Sequence, residues 1–426
     1  MEEQDGSQVE TSRQIPPVTE AQPVVADTAA AILARASEAP DPARLPVLRR
    51  AINGTGLLLP AALGRAPLAE AAAEAVAEVA RGYCTLELNP ETGHGEARTE
   101  TVESLLRDLA GAETALVVNT HAAALLLALS ACAAGGEIVV ARGEVGDSDA
   151  FSLLEMIRQS GARLVEVGAA NRVRLADYQA AIGPATRAIL KVRPDDYRIV
   201  GAAASPALAE LAGLAQEHGL ILIEDLGGAT LSGLTLPEGG REPALRASVA
   251  AGADIVTCGG NRLLGGPQSG LLVGRQAAID PLRRHPLLGA LRADKLALAA
   301  LEATLRLHRA GPPRAIPVLR MLTQSEAALR DRAERLGAML PEPVLYRIEA
   351  SIAYAGGVPL PDRALSSTAI GLAVEGLDAE ELARRLRLHR PAVIGRIEDD
   401  LVMLDMLAIT DDELADCAEA ISAALA

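Results

Sequence analysis

From Ile52 onward the chain alternates short apolar runs with amphipathic stretches of helical length, and few folds accept that pattern. Ala115–Asn119, Glu137–Ala141, Arg163–Val167, Ala188–Val192, Leu220–Glu224 and Ile255–Cys258 read as short buried strands. His121–Ala133 and Ala207–His218 read as helices between them. Strands that alternate with helices imply a parallel sheet with helices on both faces. Gly270–Gly274 fits a hairpin-like return strand. Composition narrows the packing further. Half of the chain is hydrophobic, yet Trp is absent and Phe151 is its only Phe, so Ala, Leu, Val and Ile must fill the core.

A long helix over Leu291–Leu307 is expected to bridge to a smaller α+β domain. There Ile370–Val374 and Leu401–Leu404 read as strands, and Ala379–Leu388 and Asp411–Leu425 as helices. The expected division is an N-terminal arm over 1–48, a large domain over 49–310 and a small domain over 311–426. The first 26 residues are polar and acidic, a short helix is expected over 27–37, and Pro40, Pro42 and Pro46 make a linker.

The net charge of -16 argues against unspecific binding to polyanions, because neutralising phosphates needs clustered Lys and Arg. Cys84, Cys132, Cys258 and Cys417 lie too far apart for a zinc site and read as free thiols of a reducing cytoplasm. No metal is expected. No basic segment leads into an apolar run at the start, and no run reads as a membrane span, so a cytoplasmic protein is expected.

The segment most telling about chemistry is Cys258-Gly259-Gly260-Asn261-Arg262-Leu263-Leu264-Gly265-Gly266-Pro267-Gln268. It resembles the pyridoxal-phosphate lysine segment of the bacterial selenocysteine synthases, the L-seryl-tRNA(Sec) selenium transferases, which reads roughly Ser-Gly-Asp-Lys-Leu-Leu-Gly-Gly-Pro-Gln. Ile52-Asn53-Gly54-Thr55-Gly56, Leu63-Gly64-Arg65, Glu224-Asp225-Leu226-Gly227, Leu291-Arg292-Ala293-Asp294-Lys295 and Val393-Ile394-Gly395-Arg396 resemble the same family in the same order. The resemblance spans roughly residues 48 to 426. It implies fold type I of the pyridoxal-phosphate enzymes: a large doubly wound, mostly parallel sheet domain plus a smaller C-terminal α+β domain.

By that resemblance Arg262 stands where the family's lysine anchors the cofactor. A guanidinium stays protonated and cannot condense with an aldehyde, so covalent attachment is not expected. Asp225 follows an apolar strand. The resemblance gives it the protonated ring nitrogen; a helix N-cap before Gly227 is the alternative. Asn119, Thr120 and His121 lie at a strand-to-helix junction whose N–H groups suit a phosphate. His121 reads either as a side chain stacked on the cofactor ring or as a cap or core residue. Gly259 and Asn261 replace a Ser and an Asp of the family's cofactor segment. Arg98, Arg292, Lys295 and Arg396 match positions expected to hold the anionic donor or substrate, because an Arg fork pairs with oxyanions. For Arg292 an Arg–Asp pair within one helix is the alternative.

The departures gather on ligand-facing segments. The family's His-Thr-Ser-Asn-Tyr becomes Arg193-Pro194-Asp195-Asp196-Tyr197, and one Arg is lost from the stretch Gly93 to Arg98. Lys191 and Lys295 have counterparts of their own in the family, so neither is expected to take over the anchor. The expected function is, by descent, a transferase converting seryl-tRNA(Sec) to selenocysteyl-tRNA(Sec), with turnover impaired at Arg262. A non-catalytic paralogue with a binding or regulatory role is one alternative. An enzyme acting on a small amino acid or sugar phosphate is another. A homo-oligomer is expected, a dimer or a higher ring. The short acidic N-terminal arm leaves seryl-tRNA(Sec) doubtful as a partner.

Overall fold

The computed structural model describes residues 48–95, 97–148, 151–231, 233–236, 241–311 and 313–425. The expected N-terminal arm and its helix over 27–37 lie outside these residues up to position 47. The chain forms two compact units. Among the described residues the larger comprises Arg65–Thr323 with Leu360–Arg363, and the smaller comprises 48–64, 324–359 and 364–425. The expected division at 310/311 therefore differs at three places: residues 49–64 group with the C-terminal unit, 311–323 stay with the larger one, and Leu360–Arg363 return to it.

The larger unit is built on seven strands: β1 (Thr114–Val118), β2 (Glu137–Ala141), β3 (Arg163–Val167), β4 (Thr186–Val192), β5 (Ile221–Gly228), β6 (Ile255–Gly259) and β7 (Gly270–Gly274). Their order across the sheet is β1-β7-β6-β5-β4-β2-β3. All neighbouring pairs are parallel except those of β7, which runs antiparallel to both β6 and β1. Period-two alternation sorts the side chains. Leu116, Val118, Ile138, Val140 and Leu190 enter one cluster with helix α1 (His121–Ala133). Their neighbours Ala115 and Val117 pack with Leu298, Leu301 and Leu305 of helix α2 (Lys295–Ala310) on the other face. Val139 and Ile189 pack there with Leu211 and Leu214. Strands buried on both faces need continuous apolar runs, which these segments supply.

Two differences from the sequence reading bear on the site. The bridging helix begins at Lys295, not Leu291, because the Asp294 carboxylate accepts from the Leu296 and Ala297 N–H groups at 2.7 and 2.9 Å and caps it. Strand β5 runs on past Asp225 to Gly228, so Asp225 lies inside the strand, and the N-cap alternative fails.

The smaller unit carries a four-stranded antiparallel sheet whose longest strands are Val344–Tyr354 and Ala364–Val374, both 11 residues. Ala379–Leu388 is helical as expected, and Ala51–Asn53 pairs in parallel with Ala392–Ile394. No described helix is long and apolar enough to cross a membrane.

Candidate functional site

The carboxyl ends of β1, β5 and β6 meet where open α/β sheets bind ligands. Asp225 sits there, 2 % exposed. Its Oδ1 accepts from Thr257 Oγ1 at 2.7 Å and lies 2.5 Å from His121 Nε2. Burial alone pushes this carboxyl's pKa up. His121, the Thr257 hydroxyl and the Gly227 N–H outweigh burial and hold it below the usual carboxylate range. His121 is the first residue of α1, and Thr120 caps that helix by accepting from the Ala123 N–H at 3.0 Å. Asn119 Oδ1 is buried without a hydrogen-bond partner among the described residues. A cleft of about 440 Å³ opens beside Asn119 and Thr120, bounded also by Pro267, Gln268, Asp294 and Ala297.

Arg262 lies over the same strand ends. A Cβ on Gly228 would come within 2.8 Å of Arg262 Cδ, and one on Gly227 within 2.5 Å of Asp195 Oδ2. The Arg262 Nη1 group is ion-paired with that Asp195 oxygen. Behind it Asp195 Oδ1 accepts from Arg363 Nη2 at 3.1 Å, and Arg363 bonds Glu242 at 3.0 Å. Arg193 lies 3.7 Å from Glu242. Burial works to lower the Arg363 pKa, but Asp195 and Glu242 outweigh it and raise it. Arg65 is different. Burial lowers its pKa first, and the like charge of Arg262 lowers it further.

The structure thus brings Asn119, Thr120, His121, Asp225, Gly259 and Arg262 together. A Cβ on Gly259 would sit 3.4 Å from His121 Cβ and 3.5 Å from Arg262 Nε, between the two side chains. Asn261 takes part through its backbone, its carbonyl accepting from Ala66 N at 3.2 Å. The expected substrate-binding residues find other partners. Arg98 donates to Glu87 at 3.0 Å, and Lys295 donates to the Gly82 carbonyl at 2.9 Å. Arg292 is exposed and precedes the helix, so it forms no Arg–Asp pair within one. Arg396 belongs to the smaller unit, where it bonds Glu398 at 2.9 Å and Ser351 at 3.1 Å.

Lys191 and Lys295 are the only lysines in the sequence. By strand alternation Lys191 points to the face opposite Asp225. There it pairs with Glu144 and donates to Ser205 Oγ at 2.6 Å. The described site therefore holds no lysine amine. Sequence reasoning singled out Asp195 as a departure but missed it as the partner of Arg262. It missed Glu242 and Arg363 altogether, since nothing in their neighbourhoods marks them as site residues.

Comparison with known proteins gives the family. The family model described as L-seryl-tRNA selenium transferase matches residues 51–410. The L-seryl-tRNA(Sec) selenium transferase of Geotalea uraniireducens is 42 % identical over 374 residues, covering 86 % of this chain and 81 % of that protein. That of Hyphomonas neptunium is 43 % identical over 382 residues, covering 88 % and 82 %. Among solved structures, D-glucosaminate-6-phosphate ammonia-lyase shares the fold with a TM-score of 0.64 at 22 % identity, over 89 % of this chain and 96 % of that one. The chain belongs to the L-seryl-tRNA(Sec) selenium transferase family.

Proposed function

We propose that this protein serves the selenium-transfer chemistry of its family, retaining the groups that recognise the cofactor while Arg262 impairs turnover. The family's cofactor is pyridoxal phosphate, which when bound supplies an electron sink for the substrate α-carbon. Two features of this chain fit it. Asp225 is a buried carboxylate able to hold a protonated ring nitrogen, with His121 and Thr257 fixing its orientation. The start of the 13-residue helix α1 presents N–H groups toward a phosphate, beside the orphaned Asn119 oxygen. One feature does not fit. The anchoring position holds a guanidinium, which has no lone pair to offer an aldehyde.

The residues then divide the work. Asp225 and the α1 terminus bind and orient. His121 keeps Asp225 ionised, and the buried apolar strands exclude water beneath it. No lysine amine stands by to exchange one amine for another or to carry the substrate's α-proton, so release of a finished product is slow. The observation that carries this reading is the Arg262–Asp195 ion pair at the anchor position.

Reconstitution with pyridoxal phosphate, borohydride reduction and peptide mass spectrometry tests it. The expected result is reversible binding, lost on dialysis, with no pyridoxyl adduct on Lys191 or Lys295. Conversion of seryl-tRNA(Sec) should run at least about a hundredfold slower than in a lysine-bearing relative. An adduct on either lysine, or turnover at the relative's rate, would overturn the reading. The protein is also assigned to the cytoplasm and to a homo-oligomer. The family-like Gly265-Gly266-Pro267-Gln268 segment supports the latter, and light scattering showing a monomer at micromolar concentration would refute it.

A further inference from the structure

We infer that Asp195 is a positioning residue that holds the side chain at position 262 as a fixed cation, so the family's covalent anchor is closed at two positions rather than one. This rests on the reading just given and deepens it. The two residues are 67 positions apart, and each stands where the family resemblance expects something else. The fold brings them into direct contact over the Gly227–Gly228 backbone, immediately after the ring-binding Asp225. Asp195 is itself held from behind. Its second oxygen accepts from Arg363 at 3.1 Å, and Arg363 is fixed by Glu242, whose side chain is 1 % exposed. A carboxylate so restrained cannot swing away from position 262 when the residue there changes.

The chemistry that follows is specific. Covalent anchoring condenses a neutral amine with the cofactor aldehyde, forming a C=N bond and releasing water. The amine must first lose a proton. An opposite charge within a few ångströms favours the protonated form, typically by about one to three pKa units. The charged and titratable groups facing position 262 are Asp195, with Arg363 behind it, Arg65, Cys258 and, across Gly259, the His121–Asp225 pair. Arg65 opposes the proton, but it is not in ion-pair contact; Asp195 is. Restoring the amine by Arg262→Lys alone would place it under Asp195, with about 10- to 1000-fold less free base at neutral pH than without that carboxylate. Removing the carboxylate as well would release it.

The test compares full-length Arg262→Lys with Arg262→Lys/Asp195→Ser by two measurements. The first needs no cofactor. Reductive [13C]methylation followed by an NMR pH titration reads each amine, and Lys191 and Lys295, identified in the parent protein, give the only other lysine signals. The introduced amine should titrate at least one unit higher while Asp195 is present. Equal values would overturn the inference. The second is trapping with pyridoxal phosphate and borohydride at pH 7.5. The double variant should give at least tenfold more adduct at position 262 than the single one. Equal yields would overturn the inference. If neither variant retains cofactor, the proposed function fails while the titration still decides the role of Asp195. Asp195→Asn keeps the shape and removes the charge, so it gives the same comparison should Asp195→Ser not fold.

Discussion

The Glu242 side chain is 1 % exposed and that of Arg363 is 5 % exposed. Charges so far from water persist only when paired, because their desolvation is offset by partners or not at all. Arg363→Ala would leave Glu242, among the described residues, with Arg193 at 3.7 Å, and would strip Asp195 of its 3.1 Å bond. A loss of about 3–5 kcal/mol is expected, read from urea midpoints. Asp225 gives a pH dependence. Its folded pKa is depressed, so its contribution is fully present above the unfolded value of about 3.9 and is lost as pH falls through the lower folded value. Asp225→Asn should therefore cost stability at pH 7 and progressively less in acid; an equal cost at pH 7 and at pH 2 would refute the assignment. Asp225, His121 and Arg262 were legible because each sits beside a strand end or in a family-like segment. Asp195, Glu242 and Arg363 come from three distant segments, and only tertiary structure joins them. Arg98 and Arg396 show the converse. A sequence does not say whether an arginine is free for a ligand or already paired with a Glu87 or a Glu398.

The strands were legible for a physical reason: burial on both faces leaves short uninterrupted runs such as Ile189–Leu190 and Leu222–Ile223. Helix ends were less legible. Leu291 and Ala293 are apolar and continue the helical pattern, yet the Asp294 cap starts the helix after them. The strand Val344–Tyr354 was missed although Arg347, Glu349 and Ser351 alternate there with Ile348, Ala350 and Ile352 at the period of a strand. Two elements meet closely at Gly270. A Cβ there would lie 2.0 Å from the Thr120 carbonyl oxygen, so the missing side chain lets β7 pass the start of α1. Gly270→Ala should cost about 3 kcal/mol or more, or prevent folding, because the backbone at Thr120 must move. Thr120→Ala is the milder probe. It removes the 3.0 Å cap on Ala123 and should cost about 1 kcal/mol in thermal or urea unfolding. If the two substitutions cost the same, the close approach at Gly270 is not what fixes the junction.

The charge of the entire chain bears on its nucleic-acid partner. At -16, attraction to a tRNA backbone must come from local clusters of arginine. The stretch before residue 51 offers Arg13, Arg35, Arg44, Arg49 and Arg50 against Glu2, Glu3, Asp5, Glu10, Glu20, Asp27, Glu38 and Asp41. Two of those five arginines are already engaged. Arg49 donates to the Arg387 carbonyl at 2.6 Å, and Arg50 faces Asp416 and Glu413 at 3.0 and 3.2 Å. The Arg50 pairs are exposed and weak, so a phosphate could displace them, but only by leaving two acids beside the bound backbone. No aromatic lies in this stretch to stack on an exposed base. Weak binding of seryl-tRNA(Sec) at physiological salt is therefore expected, with little discrimination from an ordinary seryl-tRNA. A filter-binding titration decides it. Sub-micromolar, discriminating affinity with a steep salt dependence would show that the family's tRNA recognition survives here by contacts outside these five arginines, with the limit that Arg262 sets on turnover still in place.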